Sequence, residues 1–168
     1  QLAVILPTKQ ILVISGGNYG YHRPVYHPLL LSPDPSAPSG YRKKRMAPAS
    51  QPRLYHNTAL LLPDGRVFTA GGNANRAARN PDDGSVNLLI KRTPEGVFQF
   101  AEKGEYVIPA ENWQVEIFSP PYLFIPGSRP EITQAPEVVN YGESTSLEVK
   151  DMTSDASLVM IKLGSVTH

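Results

Sequence analysis

The sequence predicts an all-β fold, and three observations carry the prediction. Short runs of apolar and β-branched residues recur along the 168 positions, and none has the length and 3.6-residue period of an amphipathic helix. Seventeen prolines and 13 glycines punctuate those runs, proline standing at about twice its usual share. A run ending in Gly-Gly also occurs twice. It reads Leu6-Pro7-Thr8-Lys9-Gln10-Ile11-Leu12-Val13-Ile14-Ser15-Gly16-Gly17-Asn18 and then Leu62-Pro63-Asp64-Gly65-Arg66-Val67-Phe68-Thr69-Ala70-Gly71-Gly72-Asn73, with Gly16 and Gly71 a step of 55 residues apart.

A strand unit recurring at about 50 residues is the mark of kelch-type β-propeller blades, so residues 1–124 are read as the last blades of such a propeller. The chain opens on a strand at Gln1. Pro24-Val25-Tyr26-His27-Pro28-Leu29-Leu30-Leu31 is a further blade strand with prolines at its ends, where a missing N–H breaks no ladder; His27 within it is structural. Residues 32–52 are proline-rich and read as a surface loop, their basic run Arg42-Lys43-Lys44-Arg45 forming a solvated face. Residues 76–110 begin polar and read as a surface excursion with two short strands, 86–91 and 97–101. Trp113-Gln114-Val115-Glu116-Ile117-Phe118 alternates as a half-buried strand stopped by Ser119-Pro120-Pro121, with the single tryptophan as its core anchor.

A second unit, residues 125–168, begins near Arg129-Pro130-Glu131-Ile132. Glu137-Val138-Val139, Ser146-Leu147-Glu148-Val149 and residues 156–163 follow at the strand spacing of a β-sandwich. An immunoglobulin-like sandwich has about seven strands, so this is the start of one. The chain then reads as an internal piece of a longer protein, whose missing blades and sandwich strands are its first expected partners.

A formal net charge of +1 gives no case for nucleic acid or an anionic membrane as the main partner. No apolar run approaches the ~18 residues of a membrane span. The absence of cysteine excludes disulfides without fixing the compartment, and no Asn-x-Ser/Thr sequon is present.

The candidate chemistry lies in the stretch from Arg53 to Asn73. Pro63-Asp64-Gly65 separates two apolar, β-branched runs, Pro63 presetting φ and Gly65 taking the positive φ that closes a hairpin. Tyr55-His56 stands just before the first run. Neighbours in a regular strand point to opposite faces, so two adjacent polar residues serving one site belong at a strand's irregular mouth, which Pro52 favours. Taken alone, Tyr55 has the default reading of a half-buried tyrosine with a hydrogen-bonded hydroxyl, and His56 that of a rim histidine. A phenol and an imidazole side by side also suit a metal site.

Arg53-Leu54-Tyr55-His56-Asn57-Thr58-Ala59-Leu60-Leu61-Leu62-Pro63-Asp64-Gly65-Arg66-Val67 closely resembles the last-blade signature of the copper radical oxidases, the galactose oxidase and glyoxal oxidase family. Glu116-Ile117-Phe118-Ser119-Pro120-Pro121-Tyr122-Leu123 resembles the strand that leaves their propeller, and Arg129-Pro130-Glu131-Ile132 the entry to their C-terminal immunoglobulin-like (early-set) domain. Gly164-Ser165-Val166-Thr167-His168 resembles that domain's loop, which reaches back into the propeller. Residues 76–110 match nothing in the family. The resemblance implies a seven-bladed propeller capped by a sandwich, with copper (Cu2+) on the propeller axis. His56 and His168 are then the imidazole ligands, and Tyr55 is the axial ligand that takes the substrate's hydroxyl proton. Tyr19, Tyr21 and His22 fall in a loop that borders the family's substrate pocket, where rings stack on a sugar or aryl group; packing is the alternative role for them. The family's radical cofactor, a tyrosine cross-linked to a cysteine, is expected only outside this chain.

Two imidazoles with phenolate oxygens make a nitrogen–oxygen donor set suited to tetragonal Cu(II). The expected activity is oxidation of a primary alcohol or aldehyde with O2 to give H2O2, in an extracellular or periplasmic protein. Two other readings stand beside it. One is a non-catalytic propeller and immunoglobulin-like subunit for binding or structure, with residues 76–110 as a docking surface. The other is a metal site of two histidines and a tyrosine that works without a radical.

Overall fold

The computed structural model describes residues 1–19, 22–72, 90–92, 95, 98–100, 112–162 and 164, and these form an all-β chain. In chain order, β1 (Leu2–Ile5) and β2 (Ile11–Ile14) make a hairpin, β3 (Gly17–Tyr19) and β4 (His22–Pro24) a short ribbon. A second hairpin follows in β5 (Leu29–Pro33) and β6 (Tyr41–Arg45), and a third in β7 (Asn57–Leu61) and β8 (Val67–Gly71). β9 (Ile90–Arg92) pairs with β10 (Phe98–Phe100), and β11 (Glu116–Phe118) returns to β8. A 3-10 turn over Pro121–Phe124 precedes β12 (Glu131–Gln134) and β13 (Glu148–Lys150), which pair with each other.

Two compact units result: Gln1–Leu123 together with Ile161–His168, and Phe124–Met160. In the first, a four-stranded sheet runs β1-β2-β5-β6 and a three-stranded sheet runs β11-β8-β7. The core is the seam where they pack. Val4, Leu6, Leu12, Ile14 and Leu30 from one side meet Val67 from the other, with Ala59, Leu61, Phe118 and Tyr122 around them.

The repeat seen in the sequence is a repeat of structure. Leu6 N–H donates to the Gln10 carbonyl and Lys9 N–H to the Leu6 carbonyl, each at 2.9 Å. Leu62 and Arg66, then Gly65 and Leu62, make the same two bonds at 2.8 and 2.9 Å. Both turns close on a residue of positive φ, 61° at Lys9 and 83° at Gly65, as a three-residue hairpin loop ending in the left-handed region requires. The Tyr122 hydroxyl caps the second turn by donating to the Gly65 carbonyl.

Several expectations are corrected. Residues 42–45 are not loop but part of β6, the exposed edge of the four-stranded sheet, paired along its length with β5. Both faces of β6 are polar, so no alternation betrayed it, and its cations discourage a further strand from adding to the edge. The blade strand expected from Pro24 begins only at Leu29. Trp113 is not a core anchor: it is 85% exposed. The strand there starts at Glu116, and Glu116 and Phe118 take the more sheltered positions while Val115 and Ile117 face outward. That is the opposite phase from the expected one, and with a period of two a shift of one residue moves every side chain. In the second unit, residues 137–139 and the described part of 156–163 form no strand; without a ladder partner an apolar run has nothing to pair with.

Candidate functional site

Tyr55 and His56 lie immediately before β7, whose first residue, Asn57, is opposite Gly71. His56 has φ of 53°, a left-handed conformation uncommon for a residue with a Cβ. This breaks the strand's alternation and lets two consecutive side chains share one side. Their rings stack, with centroids 3.8 Å apart and planes inclined by 30°. Tyr55 is half-buried and His56 exposed.

The Gly-Gly ends of both repeats converge on this segment. Gly16 N–H donates to the Arg53 carbonyl at 2.6 Å, and Gly72 N–H to the His56 carbonyl at 3.1 Å. A Cβ on Gly71 would stand 2.6 Å from the His56 carbonyl oxygen, and one on Gly72 3.1 Å from the Arg53 Cα. Both glycines also have positive φ, 70° and 122°. Asn57 closes the loop from within, its Nδ2 donating to the Leu54 carbonyl at 2.7 Å.

Arg53 has no role in the sequence reading, yet its side chain is only 1% exposed. One guanidinium nitrogen donates to the Gly71 carbonyl at 2.7 Å. Another donates to the Gln114 carbonyl at 2.8 Å and to Glu116 Oε2 at 3.2 Å. Glu116 Oε1 accepts from the Ser50 N–H at 2.7 Å and from the Ser50 hydroxyl at 2.8 Å. Among the described residues the buried Arg53 Nε, Asn57 Oδ1 and Thr58 Oγ1 have no hydrogen-bond partner. The signal for the pair was a single acid inside an apolar alternating run, Glu116, facing a single base at the head of another, Arg53.

The other expected site residues fare differently. Tyr19 and His22 stand opposite each other in the β3–β4 ribbon, which springs from the Gly16 that is bonded to Arg53. Tyr21 and His168 lie outside the described residues. Gly164, four positions before His168, belongs to the first unit, and its Cβ position is 3.2 Å from Leu60 Cδ2 in β7. His27 Nδ1–H donates to the Met46 carbonyl at 3.0 Å.

Among the described residues no group of three or more His, Cys, Asp or Glu side chains is placed to hold a metal. Among them, too, no helix is long and apolar enough to cross a membrane. Away from the site, hydrogen bonds from the Arg66 side chain and then its N–H hold the Asp64 carboxyl below its ordinary pKa of 3.8. The Ser36 hydroxyl and N–H do the same for Asp34.

The model of a family described as glyoxal oxidase N-terminus matches residues 2–84, a span that holds Tyr55 and His56. Aldehyde oxidase GLOX of Vitis pseudoreticulata is 36% identical over 148 residues, covering 83% of this chain and 23% of that protein. Aldehyde oxidase GLOX1 of Arabidopsis thaliana is 34% identical over 172 residues, covering 95% of this chain and 24% of that protein. Galactose oxidase of Gibberella zeae is 27% identical over 175 residues, covering 99% and 20%. The chain thus spans about a quarter or less of the length of these relatives. On the motifs around Tyr55 and His56 and on these matches, the chain belongs to the galactose oxidase and glyoxal oxidase-like family.

Proposed function

We propose that the full-length protein is a copper-dependent oxidase of primary alcohols or aldehydes, acting outside the cytoplasm, with Tyr55, His56 and His168 in its metal centre. The observation that carries this reading is the stacked pair at the mouth of β7, held on one side of the chain by the left-handed His56. Backbone held in such a conformation beside a stacked ring pair is the kind of local strain that collects at functional sites.

The residues present fit copper in kind. A phenol oxygen and an imidazole nitrogen are donors suited to Cu(II), and the segment between Arg53 and Asn57 brings no carboxylate to turn the site toward a harder ion. Gly164 beside Leu60 supports a third ligand from the chain's last residues, since it puts a point four residues before His168 against β7. Copper, when bound, supplies a Lewis acid that lowers an alcohol's pKa and a redox partner for electrons leaving the C–H bond.

The chain's own residues do the rest. Tyr55 accepts the hydroxyl proton at its phenolic oxygen as general base. His56 presents a ring nitrogen from a backbone that the Gly72 N–H holds at its carbonyl. Overall, two electrons and two protons leave R–CH2–OH and reduce O2 to H2O2. The chain contains no cysteine, so a Tyr–Cys cofactor comes from another part of the protein. Tyr19, Tyr21 and His22 are proposed to border the substrate.

The test uses the full-length protein. One equivalent of bound Cu(II) and peroxide release from a primary alcohol or aldehyde are expected. His56→Ala should weaken copper binding by more than the about 10- to 100-fold that outer-sphere changes cost. Tyr55→Phe should lower kcat by roughly 10²- to 10⁴-fold, the share of a general base, at copper occupancy close to wild type. Undiminished peroxide release by His56→Ala overturns the assignment.

A further inference from the structure

We propose that Arg53, locked to Glu116, is a positioning residue for the Tyr55–His56 ring pair. The proposal rests on the metal-centre reading and deepens it. Its basis is a closed circuit of contacts. The Arg53 guanidinium holds the Gly71 carbonyl; the next residue, Gly72, donates its N–H to the His56 carbonyl; and the backbone from residue 56 to residue 53 completes the loop. Gly71 has room for only a hydrogen on that side, with the His56 oxygen 2.6 Å from where a Cβ would lie. Movement of Gly71 is therefore passed to His56 directly.

The circuit is anchored at three further points. Gly16 N–H holds the Arg53 carbonyl, the second guanidinium nitrogen ties in Gln114 and Glu116, and Ser50 fixes the other carboxylate oxygen. The segment just after β2, the end of β8 and the start of β11 thus meet on one residue, two positions before Tyr55, the first on its backbone carbonyl and the others on its guanidinium.

Stability alone does not account for the arrangement. An ion pair that buries a charge commonly contributes no more than apolar side chains of similar volume; here Arg53 is buried while Glu116 is 23% exposed, and the Arg53 Nε is left without a partner. A planar guanidinium supplies direction: several donors in a rigid fork that fix three acceptors at once. Arg53 reaches the His56 backbone by way of Gly71 and Gly72.

The experiment compares Arg53→Lys and Glu116→Gln with Val4→Ala, a truncation of a core residue outside the circuit, in the full-length protein. Readouts are the Cu(II) electron paramagnetic resonance spectrum, copper affinity, and amide hydrogen exchange at Gly72. Each circuit variant should shift the copper hyperfine pattern, weaken copper binding by about tenfold, and speed exchange at Gly72. Val4→Ala should lower the Tm and leave all three at wild-type values. If Arg53→Lys fails to fold, Glu116→Gln, nearly identical in volume, decides the matter. Wild-type spectra and wild-type Gly72 exchange in the circuit variants overturn the proposal, whatever their Tm. If the wild-type protein itself binds no copper, the oxidase reading falls, and Gly72 exchange still decides whether Arg53 holds the ring pair.

Discussion

At the scale of the residue, a single backbone angle separates a strand from a site. His56 at φ 53° turns two neighbours that would diverge into a stacked pair. Gly71 and Gly40 test how much the surroundings matter. Both have φ near 70°, but nothing lies within 4 Å of a Cβ on Gly40, whereas one on Gly71 runs into the His56 carbonyl. Gly40→Ala should cost only the left-handed penalty of roughly 1–2 kcal/mol. Gly71→Ala should cost above about 3 kcal/mol, the range of specific steric damage, and should weaken copper binding as well. Urea unfolding midpoints of the full-length protein, read with copper titrations, check both. Tyr55 and His56 were legible because residue type and place before a strand are written in the sequence. Arg53 was not, because its meaning depends on Glu116, 63 residues away.

At the scale of the element, hairpins were legible and edges were not. The two turns at 6–10 and 62–66 announce themselves through proline, apolar flanks and period, and the first carries Lys9 where the second carries Gly65. Lys9→Gly should therefore raise stability by up to about 1 kcal/mol, the relief of a left-handed side chain less the entropy of glycine. Gly65→Lys should lower it by more, since a Cβ there is 3.3 Å from the Tyr122 ring. Chemical denaturation of both variants measures the asymmetry. The second turn also carries a pH term. The folded pKa of Asp64 lies below 3.8, so its contribution is complete above the unfolded value and is lost as pH falls from 3.8 through the folded one. Asp64 is exposed, so the term is small and screened by salt. In Asp64→Asn this loss below pH 3.8 should vanish, as acid titrations of the two proteins would show. β6 escaped notice because a strand with two wet faces has no periodic signal, and only its pairing with β5 defines it.

At the scale of the whole molecule, the described residues withdraw little apolar surface from water. Among the described residues six hydrophobic side chains form the buried core, while Ile132, Val138, Val139, Tyr141, Met152, Leu158 and Met160 of the second unit are exposed. Such a core falls short of the conformational entropy it must offset. Residues 1–168 alone should bind a hydrophobic dye and melt without a cooperative transition, whereas the full-length protein should melt sharply; calorimetry on the two distinguishes them. The repeat made the first unit readable from its sequence. The second unit was less so, because its apolar runs become strands only beside a partner, as Glu131–Gln134 does beside Glu148–Lys150.

The chain leaves the first unit after Leu123 and rejoins it at Ile161, with Tyr122 still capping the Gly65 turn just before departure. In recombination terms, Phe124–Met160 is an inserted cassette with two crossover points. A chimaera joined after Leu123 and again before Ile161 keeps both the hairpin cap and the return of Gly164 to Leu60. One joined at Ser119 discards the first, and one that simply replaces everything downstream discards the second.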